Sequence, residues 1–260
     1  MKIRLENNFI TDNSAECEAG CFFMCTDANA KFEPEAAQKG AQIISIAQAK
    51  ELLKIDPRIK IVGITGTNGK TTTAAAIYST LLDLGFSCGL SGTRGAFINE
   101  RRIDEKGLTT SSVFKTMSYL YEASKQGCEY FVMEVSSHAI AQNRIEGLEF
   151  ALKIFTNLSQ DHLDYHGSMQ EYAAVKSSFF ADDAPKLINA DDGHIKFNPA
   201  NALTYGIKNP ASFSVSGYGL KGGIDALVRT PNGDNAQLQS DLIGEFNLYN
   251  LTAAFAAVKI

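Results

Sequence analysis

The sequence predicts an α/β protein: a small N-terminal α/β domain, then a phosphate-loop central domain with a mostly parallel sheet and a small antiparallel extension. Three observations carry this. Ile61-Val62-Gly63-Ile64-Thr65-Gly66-Thr67-Asn68-Gly69-Lys70-Thr71-Thr72-Thr73 reads as a short apolar strand, a glycine-rich turn and a helix start. Tyr130–Val135 and Ala151–Thr156 are nearly continuous apolar runs, the pattern of strands buried on both faces. From about 211 to 243 the pattern alternates around a Pro231-Asn232-Gly233-Asp234 turn, as antiparallel strands do.

The N-terminal unit, residues 1–57, reads as follows. Thr11-Asp12-Asn13-Ser14 is a polar turn or a ligand loop. Phe22–Cys25 is a buried strand, Pro34–Lys39 a short helix capped by Gly40, and Gln42–Ile46 a second strand. Asp56-Pro57-Arg58 marks a turn and the boundary with the second unit, residues 58–260. Its first helix runs from Lys70 to Leu84 with Gly85 as its stop, and Cys88–Leu90 suggests a short strand. A polar loop is expected next, then a helix to Lys125 entered through Thr109-Thr110-Ser111-Ser112 and ended by Gly127; on pattern alone those hydroxyls are caps. Ser168-Met169-Gln170-Glu171 is a capping box whose helix carries Lys176 about two turns in. Lys186–Ile188 and Ala202–Tyr205 are further strands. Gly244–Asn250 leads into an apolar helix, Leu251–Ile260, where the chain stops without a C-cap, the expectation for a boundary cut through a longer protein.

Composition narrows the function. With 45% hydrophobic and 20% charged residues the chain is of ordinary globular type, and a net charge of −5 argues against a general nucleic-acid surface. No apolar run reaches membrane-spanning length and the N-terminus lacks a signal-peptide core, so neither membrane nor secretion is expected. The five cysteines show no C-x-x-C spacing; Cys17, Cys21 and Cys25 recur every fourth residue, and the set reads as reduced thiols of a cytoplasmic protein.

The turn Gly66–Gly69 has the mechanics of a phosphate-binding loop. Glycines let backbone N–H groups approach phosphate oxygens, and the helix start adds about half a positive charge. Lys70 can reach the β- and γ-phosphates and the Thr71 hydroxyl can ligate Mg²⁺, although Ile64 stands where the usual spacing has its first glycine. In an open parallel sheet, ligands bind beyond the carboxyl ends of the strands. The strands at 61–65, 130–135 and 151–156 would bring the loop, Glu134 and the His162 segment to one edge. A phosphate loop beside a carboxylate and an imidazole is a metal–nucleotide site.

Together these runs resemble the Mur ligase family. The matching segments are Gly66-Thr67-Asn68-Gly69-Lys70-Thr71-Thr72, Met133-Glu134-Val135-Ser136-Ser137-His138, Thr156-Asn157-Leu158-Ser159, Asp161-His162-Leu163-Asp164-Tyr165-His166-Gly167 and Phe246-Asn247-Leu248-Tyr249-Asn250. The resemblance implies an ATP-dependent ligase that adds diaminopimelate or lysine to a UDP-N-acetylmuramoyl dipeptide through an acyl phosphate, as a cytoplasmic monomer. It further implies a UDP-muramoyl-binding domain at 1–57, an ATP-binding domain at 58–260, and a C-terminal ligase domain missing from this chain, so that the chain alone binds ligands but turns over poorly.

By the same resemblance, Gly66, Thr67, Asn68, Gly69, Lys70, Thr71 and Thr72 hold the phosphates, and Asn247 and Asn250 approach the adenine. Thr71 and Glu134 hold one Mg²⁺; His162 and a carbamylated Lys176 hold a second. Thr109, Thr110, Ser136, Gln142 and Arg144 contact the muramoyl peptide, and Ser14 the uridine end. The carbamate is chemically reasonable. An ammonium about 4 Å from Mg²⁺ is repelled by roughly 8 kcal/mol at an effective dielectric of about 20. Neutralising a free lysine at pH 7 costs only about 4–5 kcal/mol. A neutral amine can then add CO₂. Folylpolyglutamate synthetase, a relative with a similar ATP core, and a non-catalytic nucleotide-binding module are the alternatives.

Overall fold

The computed structural model describes residues 1–160 and 168–260. The N-terminal unit is a four-stranded sheet in the order β1 (Lys2–Arg4), β2 (Phe9–Thr11), β3 (Phe22–Met24), β4 (Gln42–Ile44), with β2, β3 and β4 parallel. Helix α1 (Glu33–Gln38) precedes β4. The strand expected at 42–46 ends at Ile44, because the Ser45 side chain accepts from Gln48 N–H in a complete capping box and starts α2 (Ile46–Leu52) instead.

The second unit is built on an eleven-stranded sheet among the described residues. Strand β5 (Lys60–Thr65) lies between β9 (Tyr130–Glu134) and β10 (Phe150–Phe155), parallel to both. Beyond β9 lie β6 (Cys88–Gly92), β7 (Gly95–Ile98) and β8 (Arg101–Asp104), the last two antiparallel. The polar loop expected after β6 is therefore a meander. Its turns sit at Gly92–Gly95 and at Asn99, which takes φ +48°, and its arginines and aspartate mask a short alternation in which Ala96 and Ile98 are buried. On the other side follow β11 (Lys186–Asn189), β12 (Ala202–Gly206), β13 (Phe213–Gly219), β14 (Ile224–Arg229) and β15 (Asn235–Ser240). The pairs β13–β14 and β14–β15 are antiparallel, as the alternation predicts.

Helices cover both faces, which is why the central strands are nearly continuous apolar runs. On one face α3 (Lys70–Asp83) packs through Ala74, Ile77 and Leu81 against Val62, Ile64 and Val132. Beside it lies α7 (Glu245–Lys259), through Leu248, Ala253 and Ala256. This last helix starts at Glu245, not Leu251, so Asn247 and Asn250 are helical residues of its first turns. On the opposite face α4 (Val113–Lys125) and α6 (Met169–Ser178) bring Leu120 and Tyr172 to Ile61, Phe131 and Phe155. Gly63 is required there: a Cβ would come within 2.6 Å of the Phe150 ring. The other side of α4, through Val113, Phe114 and Met117, packs on Ile10, Met24, Ile44 and Ala49, joining the two units through a shared apolar cluster. No helix among the described residues is long and apolar enough to cross a membrane.

Candidate nucleotide and active site

The chain leaves β5 through Gly66 and enters α3 at Gly69, whose φ of +85° suits glycine and which offers no side-chain cap to the helix. The first-turn N–H groups of α3 therefore stand at the sheet edge as an anion-binding end. Both glycines also permit close approach. A Cβ on Gly66 would sit 1.9 Å from Thr156 Oγ1, and one on Gly69 2.1 Å from Asn250 Oδ1. Lys70 curls over this turn, its Nζ donating to Gly66 O at 2.8 Å and Thr67 O at 2.9 Å.

The loop is clamped from the β10 side. Thr67 N–H donates to Asn157 O at 2.7 Å. Asn68 N–H donates to Asn157 Oδ1 at 3.0 Å, and Asn157 Nδ2 returns a bond to Asn68 O at 3.0 Å. Thr156 Oγ1 donates to the same carbonyl at 2.7 Å, and Ser159 N–H to Thr67 Oγ1 at 3.0 Å. Thr156–Ser159 lies in a run that resembles the family's, and its local signal is a strand that ends in hydroxyl and amide residues.

On the β9 side stands Glu134, only 2% exposed at the end of its strand. Its Oε2 accepts from Thr71 Oγ1 at 2.9 Å and from Thr93 Oγ1 at 3.2 Å, while Oε1 accepts from Thr93 N–H at 2.9 Å. Gly92 leaves room for the carboxylate, since a Cβ there would lie 2.2 Å from Oε1. Thr93 lies in the segment expected to be a loop, which hid its role. Among the described residues no three His, Cys, Asp or Glu side chains gather as a metal cage. The donor set is one carboxylate with hydroxyls, hard oxygens that suit Mg²⁺ sharing its shell with phosphates.

Lys176, on α6, is 1% exposed and reaches the same place from the other face. Its Nζ donates to Gly66 O at 3.1 Å and lies 4.6 Å from the centre of the Tyr172 ring, whose hydroxyl is 3.3 Å from Thr67 Oγ1. His162 lies outside the described residues.

A cavity of about 590 Å³ opens beside the loop, between Asn68, Gly69 and Thr72, the β11 end at Asn189–Asp192, and Phe246, Asn247, Tyr249 and Asn250 of α7. Asn250 Nδ2 donates to Asn247 Oδ1 at 3.2 Å, so the two amides are paired on the wall, and Phe246 stands at the rim, 68% exposed. The remaining sequence candidates lie near Glu134 or far from it. Thr110, fully inside, donates to Glu134 O at 2.9 Å and accepts from Ser136 N–H at 2.9 Å. Ser136 caps α5 (Ser137–Ala141), a short helix the sequence reading missed. Arg144 donates to Thr110 O at 3.1 Å and also to Gln142 Oε1, and Thr109 Oγ1 lies 3.2 Å from Thr93 Oγ1. Ser14 opens a short 3-10 turn, Ser14–Glu16, in the N-terminal unit, where its hydroxyl donates to Glu35 Oε2 at 2.8 Å.

The Mur ligase middle domain family model matches residues 64–258. The UDP-N-acetylmuramoyl-L-alanyl-D-glutamate--2,6-diaminopimelate ligase of Wolinella succinogenes is 50% identical over 256 residues, covering 97% of this chain and 58% of that protein. A solved structure of a UDP-N-acetylmuramoyl-L-alanyl-D-glutamate--2,6-diaminopimelate ligase superposes with a TM-score of 0.79 at 27% identity, over 96% of this chain and 59% of that one. An FPGS-AMPPCP-folate complex superposes at a TM-score of 0.63 with 17% identity, over 82% of this chain and 60% of that one, a likeness of fold alone. The chain thus spans somewhat under three fifths of the curated relative.

Proposed function

The chain belongs to the Mur ligase family, and on that premise we propose that it carries the nucleotide- and muramoyl-binding part of an ATP-dependent ligase joining diaminopimelate to UDP-N-acetylmuramoyl-L-alanyl-D-glutamate. The observation that carries the reading is the 2.9 Å contact between Thr71 Oγ1 and the buried Glu134 carboxylate at the start of α3. It sets a hard-oxygen donor pair directly beside a phosphate-type loop. The 50% identity to a diaminopimelate ligase favours that amino acid over lysine and this ligase over a folate-directed one.

The roles follow from the chemistry. A carboxylate is a poor electrophile, so the γ-phosphoryl group passes to the substrate carboxylate oxygen and ADP leaves. The amine then attacks the acyl carbon, phosphate departs with the cleaved C–O bond, and the amine loses a proton. Such a transfer needs positioning and charge stabilisation more than covalent help from the protein. Lys70 turns from its loop carbonyls to the phosphates, and Gly66–Thr72 surround them. Thr71 and Glu134 hold Mg²⁺, which when bound offsets the charge on the transferring group. Asn247 and Asn250 face the adenine. Thr109, Thr110, Ser136, Gln142 and Arg144 form the muramoyl side, and Ser14 the uridine side of an N-terminal domain ending near residue 57. Lys176 carries a carbamate as an oxygen donor to a second Mg²⁺. Its burial beside the loop, with Nζ 3.1 Å from Gly66 O, supports that placement. The reading carries a cytoplasmic monomer with five free thiols.

The test is calorimetric titration of the chain with UDP-N-acetylmuramoyl-L-alanyl-D-glutamate, with and without Mg²⁺ and a non-hydrolysable ATP analogue. Saturable binding of both ligands is expected. Nucleotide binding without any response to the muramoyl dipeptide would remove the substrate assignment. For Lys176, ¹³C-bicarbonate should give one carbamate carbon resonance that is absent from Lys176→Met; an unlabelled spectrum would remove the carbamate.

A further inference from the structure

Asp191 follows β11, in a segment no motif singled out. Its carboxylate gathers groups from two other segments. Oδ2 accepts from Ile207 N–H at 2.7 Å, Lys208 N–H at 2.9 Å and Tyr249 Oη at 2.8 Å; Oδ1 accepts from Asn209 N–H at 2.7 Å. Gly206 gives the carboxylate space, since a Cβ there would stand 3.3 Å from both oxygens. The anchor itself is fixed: Asp191 N–H donates to Asn189 Oδ1 at 3.0 Å, and Asn189 Nδ2 donates to Thr156 O at 2.7 Å, at the base of the loop clamp. A charged acceptor with several donors is among the stronger tethers available to a loop.

Tyr249 is the only one of these partners that lies on α7. It stands between Asn247 and Asn250, and the Asn250 amide closes on Gly69. The exposed contacts of Glu245 with Lys208 Nζ (3.4 Å) and Tyr218 Oη (3.3 Å) are longer and wetter, so they hold the helix start less firmly. We propose that Asp191 is a positioning residue of the nucleotide site: through Tyr249 it fixes the first turns of α7, and with them the two asparagine amides, against the phosphate loop. This rests on the reading of the 590 Å³ cavity as the base side of that site.

The experiment separates base from phosphate. Asp191→Asn keeps the shape but turns an amide NH₂ toward N–H and hydroxyl donors. Tyr249→Phe removes the one hydroxyl and leaves the loop tethers intact. The affinity of the chain for MgADP and for magnesium tripolyphosphate is measured for both variants and for the double variant. Each single change should weaken MgADP by roughly tenfold and leave tripolyphosphate within about twofold. The double variant should be little worse than Asp191→Asn, since both act through one contact. Equal losses on the two probes would mean general damage to the site and would overturn the proposal, as would unchanged MgADP affinity in Tyr249→Phe. Wild-type chain that binds tripolyphosphate and ADP equally well would overturn the base-side reading of the cavity, and the positioning role with it.

Discussion

Replacing Asn157 by Ala should loosen the phosphate loop without unfolding the protein. The substitution removes two bonds, Asn68 N–H to Oδ1 and Nδ2 to Asn68 O, both 3.0 Å long. It leaves the Thr156 Oγ1 bond to Asn68 O at 2.7 Å and the main-chain bond from Thr67 N–H to Asn157 O at 2.7 Å. At about 1 kcal/mol each, the lost bonds amount to about 2 kcal/mol before water replaces them, and about half of that afterwards because the contact is solvent-accessible. For a chain of this size that is a fall in melting temperature of about 2–4 °C. If the same 1–2 kcal/mol biases the loop toward its phosphate-binding form, MgADP affinity should drop about 5- to 30-fold. Asn157→Asp is the sharper variant. It keeps the acceptor for Asn68 N–H but sets a carboxylate oxygen against Asn68 O and adds a negative charge beside the loop. Affinity should therefore rank wild type, then Asn157→Ala, then Asn157→Asp, in calorimetric titrations at fixed Mg²⁺ with thermal melts as the stability control. An Asn157→Ala chain within twofold of wild type, or an aspartate variant that binds better than the alanine one, would refute the clamp.

Glu134→Gln should abolish the part of ADP affinity that depends on Mg²⁺ while leaving metal-free ADP binding unchanged or slightly tighter; a variant whose affinity still climbs with Mg²⁺ as in wild type would take Glu134 out of the metal site. Gly69→Ala combines a φ of +85° with a Cβ 2.1 Å from Asn250 Oδ1, whereas Gly85→Ala has a φ of +88° and nothing within 4 Å. Both should lose about 1 kcal/mol or more of stability from backbone strain, but only Gly69→Ala should also lose ADP binding, by tenfold or more; equal ADP affinities would show that the close approach is immaterial. Burial pushes the thiols of Cys128 and Cys17 up to about 11 and that of Cys88 to about 12. Their reaction with a thiol reagent at pH 8 should be slow in the native chain and fast for all five cysteines in denaturant. Because the folded pKa values lie above the unfolded value of about 8.5, the stabilisation from these thiols is whole below that pH and is lost as pH rises through about 11 to 12; a serine at Cys88 should flatten that alkaline limb.

Much of the fold was legible because its strongest signals are long and redundant. The two buried strands, the glycine loop and the alternation after residue 211 each follow from period and turn chemistry, and the carboxyl-end rule then brought the loop and Glu134 together. What escaped was short or polar. The β7–β8 meander carries Arg101, Arg102 and Asp104 on strands of four residues, too brief for a period to show. Ser45 and Ser136 each cap a helix of seven residues or fewer, where a capping serine in sequence is indistinguishable from a turn. The start of α7 was missed because Gly244 is a helix entry with no side-chain cap, and no composition signal marks such a start. The contacts of Thr93, Asn157 and Asp191 were invisible for a different reason: each bonds to a partner far away in sequence, and only the sheet order brings them together.

That order explains why the site is where it is. Strand β5 carries the loop, and its two neighbours come from later in the chain on opposite sides, so the loop emerges where the connections diverge. Each neighbour then contributes what its terminal residues allow. The β9 end offers a carboxylate, kept buried because Thr71 and Thr93 supply its donors. The β10 end offers amide and hydroxyl groups, which match the loop's main chain. A charged group on the β10 side would desolvate without comparable donors, and an amide in place of Glu134 would carry no charge for a cation. The loop's main chain is thus gripped by neutral groups on the β10 flank and faces the Glu134 carboxylate on the β9 flank, so a cation held there would meet its negative charge from that side.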